Sequence, residues 1–313
     1  MYLYKLSKQN LELSKEELLA VAKKKDYEHV ENYLLIDELV DYEKLAYTKK
    51  TYKLLFTTSK KNLIKQLELF NFNNIYKESF RLKLVNNHVF EILDLADIIW
   101  ADIEHLEHPI VNLRNARTKI DIIFSKKIFC CLLIHKQKES FERRKAHLRK
   151  YNHPTSLNPR LARCLVNLSD AKEILDPFCG AGGILLEALL IRIKTNGFDL
   201  DKIMIKKCRK NLKSFNLKCD LKQQNALKIN KFYEAIVTDM PYGKNSKISD
   251  IEKTYKDFLK KSYSFTNKLI IVFPNFTKNK KIITNSKWKI KKHFSYYLHK
   301  SLSKEIFVLG KNN

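Results

Sequence analysis

Glycine and proline are scarce in this chain, six of each in 313 residues. The six cysteines, at positions 130, 131, 164, 179, 208 and 219, include no Cys-x-x-Cys pair. Zinc-ribbon spacing is therefore absent, and nothing suggests a secreted disulfide framework. Reduced thiols in a cytoplasmic protein without a metal site are expected. No apolar run approaches the roughly 18 residues that a membrane helix needs; the stretch from Ile128 to Ile134 has only the length of a strand. The opening Met-Tyr-Leu-Tyr-Lys lacks the pattern of a secretory signal. Neither a repeat of fixed period nor a low-complexity linker is present. Acidic residues are the minority, 34 against 60 Lys and Arg, which leaves a formal charge of +26. That excess favours a polyanion as partner, since each phosphate neutralised releases counterions. Part of it is also what a chain heavy in Lys, Asn and Ile carries as solvated surface. With 44% hydrophobic and 30% charged residues, the composition is that of a globular protein with room for two domains.

What is present begins with a glycine turn. Asp176-Pro-Phe-Cys-Gly-Ala-Gly-Gly183 follows the apolar run Glu173-Ile174-Leu175 and opens onto Ile184 to Leu190. This reads as strand, turn and helix. Gly180, Gly182 and Gly183 can take positive φ and let a ligand approach bare backbone. The following helix aims its free N–H groups at the turn. The spacing is neither Gly-x-Gly-x-x-Gly nor a P-loop. An acid four residues before the first glycine suits a cationic ligand better than a pyrophosphate. Cys179, inside the turn, has no histidine nearby in sequence and reads as a small buried thiol rather than a nucleophile.

Two further segments extend the pattern. Thr195-Asn-Gly-Phe-Asp199 reads as a second strand ending in a carboxylate, where doubly wound folds hold ribose hydroxyls; the alternative is a cap for the helix beginning near Asp201. Ala235-Ile-Val-Thr-Asp239-Met-Pro-Tyr242-Gly243 is an apolar strand running into Asp-x-Pro-Tyr-Gly.

The remaining elements follow from pattern. Ser14-Lys-Glu-Glu17 reads as a capping box that starts a helix. Strands are expected at Tyr33 to Leu39, Phe80 to Val85, Lys119 to Phe124 and Ile128 to Ile134. Helices are expected at Asn62 to Phe70 and Ile92 to Ile103. Glu139 to Lys150 carries five Lys or Arg and His147, and reads as a basic helix. Leu161, Leu165 and Leu168 form one helical stripe. Beyond the glycine turn, Asp201 to Phe215 and Glu252 to Thr266 read as helices. Cys219 to Gln224, Ala235 to Asp239 and the wholly apolar Leu269 to Phe273 read as strands. Lys289 to Tyr297 and Ile306 to Gly310 read as a terminal hairpin.

The glycine turn, Asp199 and Asp239-Met-Pro-Tyr together resemble the motifs of S-adenosylmethionine-dependent methyltransferases that act on exocyclic amino groups. Asn112-Leu-Arg-Asn, the strand pair after it and Phe141-Glu-Arg-Arg-Lys-Ala-His-Leu-Arg-Lys-Tyr-Asn-His-Pro154 look like the end of a THUMP domain and its linker. His153 to Ser169 resembles the start of the catalytic domain of archaeal-type tRNA (guanine-10-N2)-methyltransferases. The resemblance covers roughly residues 109–313 and implies an α/β fold. Residues 146–313 would form a Rossmann-like, seven-stranded methyltransferase domain. Residues 1–145 would form an α+β ferredoxin-like and THUMP region that binds tRNA.

It further implies S-adenosylmethionine as cofactor, held by Asp176, Phe178, Gly180, Gly182, Asp199, Asn225 and Ala226. Asp176 would lie near the methionine moiety and Asp199 would hold the ribose. Catalysis would fall to Asp239, Met240, Pro241 and Tyr242, and tRNA contact to Arg143, Arg144, His147, Arg149 and Lys150. Two positions depart from the family pattern. Met240 replaces a first proline, which leaves the turn less rigid. Asn225 replaces an Asp that meets the adenine amino group, so weaker cofactor binding is expected. The implied partner is tRNA, with a monomeric chain, no membrane and room for a small activator subunit. The rival readings are a THUMP enzyme acting on another acceptor-stem guanosine and an inactive tRNA-binding protein. A DNA amino-methyltransferase is disfavoured by the THUMP-like segment.

Overall fold

The structure, a computed structural model, describes residues 1–106, 109–138, 141–149, 151, 156–242, 248–299 and 302–311. The chain divides into two compact units. The first comprises residues 1–11, 24–42 and 48–138, and the second residues 12–23, 43–47 and 139–313. In chain order the N-terminal elements are β1 (Tyr2–Leu6), α1 (Leu11–Ala22), β2 (Glu28–Val30), β3 (Tyr33–Ile36), β4 (Thr48–Thr58), α2 (Leu63–Leu69), β5 (Phe80–Val85), α3 (Ile92–Ile103), β6 (Thr118–Phe124) and β7 (Ile128–Lys136). Their seven strands form one sheet in the order β2-β3-β1-β4-β7-β6-β5. Only β5 and β6 run parallel; the other neighbours are antiparallel. One face is covered by α2 and α3 through Leu63, Leu67, Leu95 and Ile99. Asp121, fully buried in β6, accepts hydrogen bonds from Lys50 (2.8 Å) and Tyr52 (2.9 Å).

The second unit continues with α4 (Pro159–Ser169), β8 (Glu173–Asp176), α5 (Gly183–Leu190), β9 (Lys194–Asp199), α6 (Lys202–Ser214), β10 (Asp220–Gln223), β11 (Ala235–Asp239), α7 (Ile248–Ser262), β12 (Lys268–Pro274), α8 (Asn279–Thr284), β13 (Lys289–His299) and β14 (Leu302–Gly310). Its sheet runs β10-β9-β8-β11-β12-β14-β13. The first five strands are parallel, and β13 and β14 add an antiparallel pair. This is the expected seven-stranded Rossmann-like sheet. Asn158 caps α4 by accepting from Arg160 N (2.9 Å), and Pro159 opens the helix. Leu161, Leu165 and Leu168 lie in the core on α4. Among the described residues no helix is long and apolar enough to cross a membrane.

Two local expectations are corrected. Ser14 and Glu17 do not form a capping box, because the turn before α1 starts earlier, at Ser7, whose hydroxyl accepts from Gln9 N. Ser14 and Glu17 are instead buried inside α1. The Glu17 carboxylate accepts from Ala46 N and Tyr47 N (2.8 Å each) and from Asn167 Nδ2 (2.7 Å). It thereby ties α1 and the 43–47 strand of chain to α4 within the second unit. A linear boundary between 145 and 146 has no counterpart to these two N-terminal pieces. The basic stretch is not one helix either. It forms two short 3-10 turns, Phe141–Arg144 and Ala146–Leu148.

Candidate active site

Three adjacent parallel strands, β9, β8 and β11, each end on an aspartate: Asp199, Asp176 and Asp239. Parallel strands bring their carboxyl ends to one edge of the sheet, so three carboxylates meet there. They line a cavity of about 720 Å³ together with Phe178, Gly180, Asn225, Ala226, Met240, Pro241 and Tyr242. The structure therefore gathers into one place residues that lie up to 66 positions apart in sequence, from 176 to 242. Gly182 is the exception, since it shapes the turn from behind. Its φ is +86°, and a Cβ there would meet Cys208 Sγ at 2.6 Å.

The turn itself is held by Asp199. One carboxylate oxygen accepts from Gly180 N (2.8 Å), whose φ is +51°, and the other from Asp201 N (2.9 Å). The cap of α6 is Asp201, accepting from Ile203 N (2.6 Å). Asn225 Oδ1 accepts from Leu227 N (2.8 Å). That oxygen is thus already engaged by backbone, although a carbonyl retains a second lone pair. Asp176 is buried and accepts from Thr238 Oγ1 (2.7 Å) and Phe178 N (3.2 Å). Burial raises its carboxyl to about 7, and the nearby charges of Asp199 and Asp239 push the same way against those two hydrogen bonds.

A family model for the RMKL-like methyltransferase domain matches residues 146–304. The tRNA (guanine(10)-N2)-dimethyltransferase of Pyrococcus abyssi is 33% identical over 260 residues, covering 79% of this chain and 78% of that protein. The chain belongs to this methyltransferase family. The corresponding enzyme of Methanothermobacter thermautotrophicus is 34% identical, over 55% of this chain and 54% of its own length. Among solved structures, TrmN from Thermus thermophilus has a TM-score of 0.53 at 17% identity, covering 99% of each chain. A chain solved as a methyltransferase in complex with SAH has a TM-score of 0.51 at 15% identity, covering 100% of this chain and 98% of its own. These two likenesses concern the fold.

In this methyltransferase the motif at β11 has an additional member. Lys304, 2% exposed at the start of β14, places its ammonium 2.5 Å from Asp239 Oδ2 and 5.0 Å from the centre of the Tyr242 ring. Burial raises the Asp239 carboxyl, and the Lys304 charge works against that shift. The other oxygen, Oδ1, is buried without a hydrogen-bond partner. Sequence reasoning missed Lys304. The available signal was parity, since it alternates with Ile306 and Val308 on one apolar face. Met240 donates its N–H to Val272 O (2.9 Å) and buries its side chain in the core. A proline there would lose that bond, so Met240 exchanges turn stiffness for an anchor on β12. The Pro241 carbonyl accepts from Tyr255 Oη (3.1 Å), and Tyr242 meets Phe276 edge-on at 6.2 Å.

The residues expected to touch RNA separate into two sets. Arg143 and His147 are exposed. Arg144 and Arg149, expected to contact tRNA, are instead turned inward. Arg144 grips Glu187 through Nε (2.7 Å) and Nη2 (3.1 Å), while Arg163 reaches the same carboxylate at 2.9 Å. A charged pair of this kind is used for packing because Glu187 is wholly buried. Lys150, His153 and Gly243 lie outside the described residues. Cys179 is buried, and its neighbour Cys208 together with burial raises its pKa, as suits an inert thiol.

Proposed function

We propose that this protein transfers a methyl group from S-adenosylmethionine to the exocyclic N2 of a guanosine in tRNA, guanosine 10 in keeping with the names of its relatives. The observation that carries the reading is Asp239. It is a strand-end carboxylate with one oxygen fixed by Lys304 and the other buried without a partner beside Tyr242. The cavity fits the cofactor by its charge. Three carboxylates crowd one edge, and a cationic sulfonium and ammonium relieve their mutual repulsion. Asp199 and Asn225 would hold its ribose and adenine, and Asp176 would face its cationic end.

When bound, the cofactor supplies an electrophilic methyl carbon. The chain's task is then alignment and charge stabilisation. A guanine amino group is a weak nucleophile because its lone pair delocalises into the ring. Asp239 Oδ1 and the Met240 carbonyl would accept its two N–H groups and draw the nitrogen toward tetrahedral geometry. Tyr242 offers a ring for the base to stack on, worth about 1–3 kcal/mol. Asp239 and the Met240 carbonyl would thus ready the amino nitrogen to take the methyl group that the cofactor supplies. The surplus amine proton then leaves to water, so Asp239 need not act as a full base.

The first unit would be the ferredoxin-like and THUMP region that holds tRNA. Support for it comes from the chain's net charge of +26 and from the THUMP-like segment around Asn112. Mass spectrometry of nucleosides from tRNA incubated with the protein and S-adenosylmethionine tests the reading. N2-methylated guanosine at position 10 is expected. Methylation only of adenine, or none from a cofactor-bound protein, would overturn it.

A further inference from the structure

Two helices of the second unit, α6 and α7, differ in surface charge. In α7 the signs are mixed: Asp250, Glu252 and Asp257 stand among four lysines, and Lys256 lies 4.0 Å from Glu252. Mixing of this kind keeps a solvated helix face balanced. In α6 it is missing. Six of its 13 residues are Lys or Arg, and no acid occurs between Asp201 and Asp220. Both of those acids are engaged. Asp201 caps the helix by accepting from Ile203 N (2.6 Å), and Asp220 lies 3.5 Å from Lys222.

The cations of α6 are also aligned. At 3.6 residues per turn, Lys202, Lys206, Arg209 and Lys213 fall within an arc of about 60° and run along about 16 Å of helix. All four are exposed. The core side of α6, Ile205, Cys208 and Leu212, is buried with Leu185 and Leu186 of α5, which holds the stripe toward solvent. Among the described residues no carboxylate forms an ion pair with any of the four. Like charges three or four residues apart repel, and Lys202 stands in the first turn, where the helix dipole disfavours a cation. The stripe therefore costs the free protein stability, and a polyanion laid along it removes that cost.

Two contacts place the stripe. Asp201 and Met204, at the start of α6, line the cavity, so the stripe begins at its mouth. Farther along, Asn211 donates to Tyr151 O (2.9 Å), and the Lys210 ammonium lies 4.7 Å from the centre of the Tyr151 ring. The chain that carries the exposed Arg143 and His147 thus reaches α6 there.

We infer that the face of α6 formed by Lys202, Lys206, Arg209 and Lys213 is a phosphate-binding surface for tRNA, which holds the duplex backbone beside the guanosine delivered to the cavity. The assignment rests on the tRNA reading and extends it to a surface outside the reacting site. Phosphates follow one another about every 3.4 Å of axis along a duplex strand, so four cations spread over about 16 Å can each meet a different one. The stripe contains no aromatic or aliphatic anchor. That favours a phosphate backbone over an acidic protein, whose interface would centre on an apolar core. Such contacts set register and leave base identity to the cavity.

Equilibrium binding of tRNA to the full chain, measured over a range of salt concentrations, tests this. Lys202→Gln, Lys206→Gln, Arg209→Gln and Lys213→Gln, combined in one chain, should weaken binding by about 100-fold or more at about 50 mM salt. The log–log salt slope should become shallower by about 3–4, at roughly 0.9 per phosphate. S-adenosylhomocysteine affinity should stay within about twofold, and the melting temperature should stay level or rise by about 1–3 °C, because the like-charge pairs are gone. At saturating tRNA, turnover should be unchanged while KM rises, as for contacts made equally in ground and transition states. The charge-retaining set Lys202→Arg, Lys206→Arg, Arg209→Lys and Lys213→Arg should keep the parent's affinity and slope. A glutamine set that binds tRNA within about threefold of the parent and with the same slope overturns the surface, including the case in which only binding to polyglutamate falls. A parent that binds S-adenosylhomocysteine but not tRNA overturns the tRNA reading itself, and the surface with it.

Discussion

The two units contain sheets of equal size and opposite design. Each has seven strands. In the first unit, five of the six neighbour pairs are antiparallel, so successive strand ends alternate between the two edges. Its buried carboxylate Asp121 lies mid-strand, with Oδ2 held by Lys50 and Tyr52 and the Arg81 guanidinium 3.3 Å from Oδ1. In the second unit four pairs are parallel, and the last residues of β8, β9 and β11 are all aspartates at one edge. The same residue type therefore ends in two roles. The acid within the first sheet is surrounded by neutralising neighbours, whereas the acids at parallel strand ends meet at one edge and face a cavity, even where one of them, Asp239, is paired with Lys304. Strand direction, more than composition, decides where ligand chemistry collects.

The contrast has one complication, because the second unit includes α1 and residues 43–47 from the N-terminal region. Glu17→Ala would leave two backbone N–H groups and one N–H of the Asn167 amide without their acceptor, the other Asn167 N–H keeping the Lys44 carbonyl (2.9 Å). It should lower the stability of the second unit by about 3–5 kcal/mol, as expected when one partner of a buried network is removed. A fragment of residues 146–313 should lack a cooperative melt for the same reason. Denaturant unfolding of the full-length variant measures the first effect. A fragment that melts like the parent would show that the N-terminal pieces are dispensable.

The next effect separates the two kinds of acid directly. Asp199→Ala should weaken S-adenosylmethionine binding by about tenfold or more, from two hydrogen bonds at roughly 1 kcal/mol each. Loss of the Gly180 contact adds to that. Asp121→Ala in the antiparallel sheet should destabilise its own unit and leave cofactor affinity within about twofold. Equal affinities for both variants and the parent, by calorimetry, would remove Asp199 from the site.

The smallest effect is a pH dependence. Asp176 is raised to about 7 by burial first, then by its acidic neighbours. In the free protein it is therefore protonated below that value and ionised above it. A cationic ligand binds the ionised form, so affinity should rise with pH up to about 7 and level off above. About threefold weaker binding at pH 6.5 than at 7.5 follows from that titration. Asp176→Asn should flatten the profile. An unchanged slope in the variant would assign the titration to another group.

Much of this arrangement was legible in the sequence, for identifiable reasons. The apolar strand before each of Asp176, Asp199 and Asp239 fixes the carboxylate at a strand end, and glycine scarcity makes the one cluster at 180–183 conspicuous. Charge was a poorer guide. Arg144 and Arg149 look like solvated surface in a basic run, and only tertiary packing around Glu187 turns them inward. Glu17 matches a capping box by spacing, yet its partners are at 46, 47 and 167. Lys304 lies 65 positions from Asp239. Pairings over such distances leave no local pattern to read.

The central claim is that Asp239 acts on the transition state, and single-turnover methylation of tRNA tests it most directly. Asp239→Ala should be made alone and with Lys304→Met, so that no buried ammonium is left without its partner. Turnover should fall by roughly 10²–10³-fold, the usual loss for one electrostatic stabiliser. Affinities for cofactor and tRNA should stay within a few-fold of the parent. Asp239→Asn keeps an acceptor oxygen and should retain part of the activity. Turnover of Asp239→Ala within about threefold of the parent would contradict the account and leave Asp239 as a turn residue held by Lys304.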